Sequence, residues 1–135
     1  MKYCILLDAV ENAAKIVPVK KGTKLLQMAY GLMNCDTVQL VPLYPDRLPK
    51  GFEAICDEDT FGKMKIFNPL ASWLYGCDDH GATISNNVVI FKLNKRGDDF
   101  CLMEEDEAHQ IADDLNARAN EIYDLTMFKA MTARS

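Results

Sequence analysis

Asn68-Pro69-Leu70-Ala71-Ser72-Trp73-Leu74-Tyr75-Gly76, followed after a polar interval by Val88-Val89-Ile90-Phe91, is the stretch that decides the fold. An Asn side chain accepts a free amide hydrogen where a helix begins. Pro in the next position needs no amide partner and already holds a helical φ. Leu70, Trp73 and Leu74 fall on one face at i, i+3, i+4, and Gly76 suits the left-handed residue that ends a helix. The stretch predicts a short capped helix carrying the only Trp, a polar loop over 77–87, and then the most strand-like run in the chain.

Working outward, residues 2–7 and 14–19 are strand-like around a polar turn and predict a β-hairpin. Thr23 is the expected cap of a helix whose face is Leu25, Met28, Ala29 and Leu32, ending within Gly31–Asn34. Residues 36–41 alternate as a half-buried strand does. Pro42, Pro45 and Pro49 make residues 42–51 a stiff loop. Strands are expected over 52–56, 61–67, 88–93 and 100–103. Ala108, Ile111, Ala112, Leu115, Ala119 and Ile122 form a core-facing stripe on one long C-terminal helix. The fold class is α+β: a mainly antiparallel sheet of about five to seven strands packed by two or three helices. Residues 1–135 form a single domain, with 104–133 its C-terminal helical segment.

With 49% apolar and 26% charged residues, the chain lies in the globular range. No apolar run is long enough to span a bilayer, and five scattered cysteines without a C-x-x-C pair suit free thiols in a reducing cytoplasm. The net charge of −5 is unevenly placed: Glu104 to Asp124 holds eight acidic residues against Arg118, a net of −7, leaving +2 for the rest. A broad basic face for nucleic acid is missing from this pattern. Asp106, Asp113, Asp114, Glu121 and Asp124 lie opposite the apolar stripe and are the candidate contacts for a basic protein partner. Leu125, Phe128 and Met131 break the stripe, and are expected to pack back on the domain or across a homodimer.

Chemistry-bearing residues are sparse. Asp57-Glu58-Asp59 reads as a solvated turn in which Asp57 or Asp59 holds turn amides, with a cation site or acid–base pair as the sharper alternative. Cys77-Asp78-Asp79-His80 has the spacing of half a zinc site, but a second pair is missing and His109 stands alone. Trp73 reads as core, and Ser72 lacks a G-x-S-x-G setting. A ligand pocket, if present, is expected between the 57–61 turn and the 77–87 loop, with Asp57, Glu58, Ser72, Trp73, Tyr75 and His80 as its residues. We expect no catalytic residue, no cofactor and no resident metal.

The chain also resembles the family catalogued as domain of unknown function 3846, small proteins frequent in bacteriophages and plasmids, through Leu25-Leu26-Gln27, Tyr30-Gly31, Val38-Gln39-Leu40 and Cys56-Asp57-Glu58. It continues through Gly62-Lys63, Asn68-Pro69-Leu70-Ala71-Ser72, Leu74-Tyr75-Gly76, His80-Gly81 and Ser85-Asn86-Asn87-Val88-Val89-Ile90, covering roughly residues 14–93. Two positions depart from the pattern: Tyr30, and Asn86 or Asn87, stand where the family usually has glycine, both expected to be turn positions. The resemblance implies a mobile-element origin and no particular activity. The expected function is a non-enzymatic protein-binding module, of the counter-defence inhibitor kind, that presents an acidic helix to a basic host enzyme. The alternative is a nucleotide- or other small-ligand-sequestering protein.

Overall fold

Asp8 closes the first hairpin: its Oδ1 accepts the amides of Val10 and Glu11, both at 3.0 Å, and its Oδ2 meets Lys15 Nζ at 3.0 Å. Strands β1 (Lys2–Asp8) and β2 (Ala13–Val19) therefore pair along their whole length, Lys2 against Val19 and Asp8 against Ala13. Burial opposes ionisation of Asp8, but these two amides and Lys15 together hold its carboxyl below the usual range. The computed structural model describes residues 1–133.

Helix α1 (Leu25–Met33) starts from Lys24 with no side-chain cap, since Thr23 instead donates its hydroxyl to the Lys20 carbonyl at 2.7 Å. It ends at Asn34, whose φ of 52° is the left-handed cap. Tyr30 lies inside α1, so it is a helix position and not the turn that the family resemblance implied. Strands β3 (Val38–Leu40) and β4 (Phe52–Asp57) follow, and then α2 (Pro69–Tyr75), which the 68–76 pattern predicts to the residue. Gly76, at φ 96°, both ends α2 and starts α3 (Cys77–His80), so the expected loop opens with one helical turn. The strand expected over 61–67 is missing: Lys63 folds back onto the Thr60 carbonyl, Gly62 takes φ 76°, and only Phe67 bridges, to Ser85.

Strand β5 (Val88–Leu93) is the centre of the sheet, whose order is β2-β1-β5-β4-β3, all neighbours antiparallel. Strand β6 (Phe100–Cys101) pairs with Lys92 and Leu93, while Met103 moves across to bridge Tyr3. Val88 and Ile90 face one core with Ile5, Leu7, Ala54 and Cys56; Val89 and Phe91 face another with Cys4, Val19 and Ile55. All four β5 residues are fully buried. That double burial is why the run is apolar at every position rather than alternating.

The long C-terminal helix divides. Helix α4 (Glu105–Ala117) is opened by the Glu104–Glu107 capping box, and α5 (Ala119–Ala133) starts one residue after the break at Arg118. With this division the sheet of six strands carries five helical segments among the described residues. Ala108, Ile111, Ala112 and Leu115 cover β1 and β2, whereas α5 lies on α2 and α3 through buried Ile122, Thr126 and Ala130. All five cysteines are free thiols, and burial pushes that of Cys4 up to about 12.

Asn68 joins these parts. Its Oδ1 accepts the Ala71 amide at 3.1 Å, and its Nδ2 donates to the carbonyls of Leu7 (3.1 Å) and Asn86 (2.8 Å). Asn68→Ala is expected to destabilise the protein by about 3 kcal/mol, one lost cap plus the loss of two donor contacts to backbone carbonyls. Asn68→Asp, which keeps the cap acceptor but loses both donors, should be almost as damaging. Denaturant unfolding checks this: an Asp variant as stable as the wild type would show the two carbonyl contacts to be unimportant.

Candidate functional site

The acidic residues do not share one rod. Asp106, Asp113 and Asp114 are exposed on α4, and Glu121 and Asp124 are exposed on α5 beyond the Arg118 break. Several carboxylates of the segment meet cations from elsewhere in the chain: Glu104 pairs with Lys2, and Glu107 with Lys92 at 2.7 Å. The Lys92 ammonium holds the Glu107 carboxyl below its usual range. Asp114 reaches Arg118 at 4.0 Å, and His109 lies between Glu105 and Asp113 at 3.8 and 3.7 Å. Asp106 accepts the amide of Glu107. Glu121 and Asp124 meet no cation among the described residues.

On α5, positions 121, 124, 125 and 128 follow i, i+3, i+4, i+7 and so share a stripe opposite the buried one. Leu125, Phe128 and Met131 are exposed by 47%, 71% and 66%, which corrects the expectation that they pack back on the domain. The helix does pack back, but through Ile122, Thr126 and Ala130. Its larger apolar side chains turn outward because 125 and 128 fall on the side of the helix opposite Ile122, Thr126 and Ala130 at about 100° per residue.

A cleft of about 620 Å³ lies beneath α5. Its floor is Gln39 and Cys56, one wall is the 57–60 turn with Lys65 and Phe67, another is Thr83–Ser85, and α5 closes it with Met127, Ala130 and Met131. Of the residues expected in a ligand pocket, Asp57 and Glu58 line this cleft; Ser72, Trp73, Tyr75 and His80 do not. Asp57 is buried, taking Lys63 Nζ at 2.7 Å and the Asp59 amide at 2.9 Å, while Asp59 takes the Phe61 amide. Ser72 acts behind the wall: its hydroxyl donates to the Ile84 carbonyl and accepts the Ile84 amide at 2.9 Å. Of the α5 residues in this wall, Ala130 is in phase with buried Ile122 and Thr126, and Met127 and Met131 flank it.

His80 is held locally. Its Nδ1 accepts the Ala82 amide at 3.0 Å, which makes Nε2 the donor to the Tyr75 carbonyl at 2.8 Å. Cys77 is buried with its thiol toward the Thr126 carbonyl, and burial pushes that thiol up. The two side chains are thus committed to separate backbone groups. Among the described residues, no group of three or more His, Cys, Asp or Glu side chains is placed to hold a metal ion. No described helix is long and apolar enough to cross a membrane.

Trp73 is half-buried, and its ring lies between two guanidinium groups: Arg47 at 4.6 Å and Arg118 at 4.5 Å from the ring centre. Arg47 also covers Tyr44 at 4.4 Å and grips Asp78 with both nitrogens at 2.5 and 3.0 Å. The proline-rich loop, α2, α3 and the α4–α5 break are thereby tied through one stack. Comparisons with protein-family models, with curated proteins and with solved structures each find no match.

The Arg47 fork holds the Asp78 carboxyl below its ordinary value of 3.8. A carboxyl depressed in the folded state stabilises fully above that ordinary value and loses its contribution as pH falls through the folded-state value. Arg47→Ala should cost about 2 kcal/mol at neutral pH, shift Trp73 fluorescence, and flatten the acid-side decline in stability. Equal acid sensitivity in both proteins would place the decline in other carboxylates.

Proposed function

We propose that this chain is a non-enzymatic protein-binding module whose contact face is the outward side of α5. The observation that carries the reading is the coincidence of exposed Leu125 and Phe128 with Glu121 and Asp124, carboxylates that meet no cation among the described residues, on one stripe of the helix. Apolar groups of this size are seldom left bare on a monomer, and the carboxylates beside them select for a partner carrying Lys or Arg. A second copy of α5 brings a single cation, Lys129, against its own Glu121 and Asp124, so a basic protein complements the face better than a homodimer. Asp113 and Asp114 on α4 extend the negative field that would steer such a partner.

The family resemblance adds an origin in a phage or plasmid, and with it the reading of a counter-defence inhibitor acting on a basic host enzyme. The residues quoted for the resemblance are its support. A second reading rests on the cleft: about 620 Å³ falls within the roughly 300–1,000 Å³ of small-ligand sites, with Lys65 and hydroxyls of Thr60, Thr83 and Ser85 for a nucleotide-sized anion.

Two variants test the first reading: the triple reversal of Asp113, Asp114 and Glu121 to Lys, and Phe128→Glu. Both alter exposed positions, so stability should change by under about 0.5 kcal/mol per site. The protein is used to capture partners from a bacterial lysate alongside both variants. A stoichiometric basic protein is expected with the wild type, lost from both variants, and released as salt rises toward ~0.5 M. Retention of the same protein by both variants would sink the α5 face. A small molecule released on denaturing the purified chain, with no protein captured, would turn the assignment to the cleft.

A further inference from the structure

The sheet has two outer strands, and they are treated differently. On β2, the outward residues are Ala14, Ile16 and Pro18, because Ala13, Lys15, Val17 and Val19 turn toward β1. The Asn116 side chain covers Ala14 as a strand would: Oδ1 accepts its amide at 2.7 Å and Nδ2 donates to its carbonyl at 2.9 Å. Pro18 has no amide hydrogen to offer. That edge is guarded in two of its three outward places, by devices that natural sheets use against unwanted pairing.

Strand β3 has no such guard. It ends the sheet order, and only β4 pairs with it. Val41 donates to the Ala54 carbonyl at 2.8 Å, and Glu58 to the Thr37 carbonyl at 3.2 Å. Positions 37, 39 and 41 therefore face β4, and the backbone groups of Val38 and Leu40 point outward. Among the described residues nothing hydrogen-bonds them. Leu40 is 54% exposed, and the run Thr37-Val38-Gln39-Leu40-Val41 is rich in strand formers with no Lys or Pro to discourage pairing.

We propose that β3 is a second interaction surface, which binds an extended peptide segment of another protein by strand addition. The amide and carbonyl groups of Val38 and Leu40 supply the main-chain hydrogen bonds. A residue placed beside Gln39 turns its side chain toward the cleft face, where Met127 and Met131 receive an apolar group. The Val38 end of the strand lies beside exposed Asp36, Glu58 and Asp59, whereas Lys63 is taken by Asp57. A Lys or Arg at that end of the peptide completes the match. A second copy of this chain offers no such cation, since residues 34–46 contain neither Lys nor Arg.

The test pans a display library of random linear heptapeptides against the whole protein. Enriched peptides should carry Lys or Arg at one end and alternate apolar residues. A synthetic copy of the winner should slow hydrogen exchange at the Val38 and Leu40 amides in the wild-type protein. Leu40→Pro, which removes one outward donor, should weaken that peptide about tenfold, and Glu58→Lys should weaken a basic-ended one. Phe128→Glu should leave it unchanged, so that failure of the α5 reading and failure of this one are distinguishable. An empty selection, or peptide bound with Val38 and Leu40 exchanging as before, would overturn the proposal. So would protection of these amides that rises with protein concentration in the absence of peptide, which would mean self-pairing. The exchange measurement needs no variant, so it decides the matter even if Leu40→Pro does not fold.

Discussion

The buried side chain of Asn68 is the point on which the site depends. It is 1% exposed and connects three backbone groups from three parts of the chain: the start of α2, the end of β1 and the loop before β5. A buried amide is stable only when its donors and acceptor are all engaged, so the three segments must meet in one arrangement. Around it, two further asparagines repeat the device. Asn86, at φ 67°, takes the Ile66 amide, and Asn87 takes the amide of Ala9. The left-handed turn at 86 is the position where an asparagine serves in place of glycine. With these contacts made, α2 offers Ser72 to the 83–85 wall and Trp73 to the arginines.

How much of this was legible depends on how far the deciding contact lies along the chain. Asn68-Pro69 and Gly76 act on groups a few residues away, and α2 is read from them without tertiary knowledge. The β5 run is unambiguous because burial on both faces removes every polar alternative. Segment 61–67 has strand-like residues, but Gly62 and the Lys63–Asp57 ion pair turn it. The break at Arg118 has no Pro or Gly to announce it, so the apolar period runs through unchanged from Leu115 to Ile122. Trp73 was read as core from its helical spacing, yet the groups that cover it, Arg47 and Arg118, come from distant segments. Periodicity registers that a side chain is covered and is silent on what covers it.

Charge follows the same rule. Counting along 104–124 gives a dense negative run, but in the folded chain Lys2, Lys92 and Arg118 reach three of its carboxylates. Glu121 and Asp124 keep their unbalanced charge at the start of α5, beside the apolar groups, while Asp106 on α4 meets a backbone amide and Glu105 and Asp113 meet only His109. Electrostatic and hydrophobic features thus converge on one surface that neither a composition count nor a helical wheel of an unbroken helix would have located.

The lateness of α5 in the chain has a consequence for biosynthesis. Domains form progressively from the N-terminal side as the polypeptide emerges, and β1, β2, α1 and the central strands can associate before α5 exists. The cleft cannot, since Met127, Ala130 and Met131 are among the last described residues to be made. Until they dock, Cys77 and the inner faces of α2 and α3 stand open to solvent. A chain made only as far as α4 is therefore a sheet with an uncovered apolar flank, and α5 is fitted over it afterwards. The closed shape of the cleft and protection of that flank arrive in the same step, once this segment has been translated.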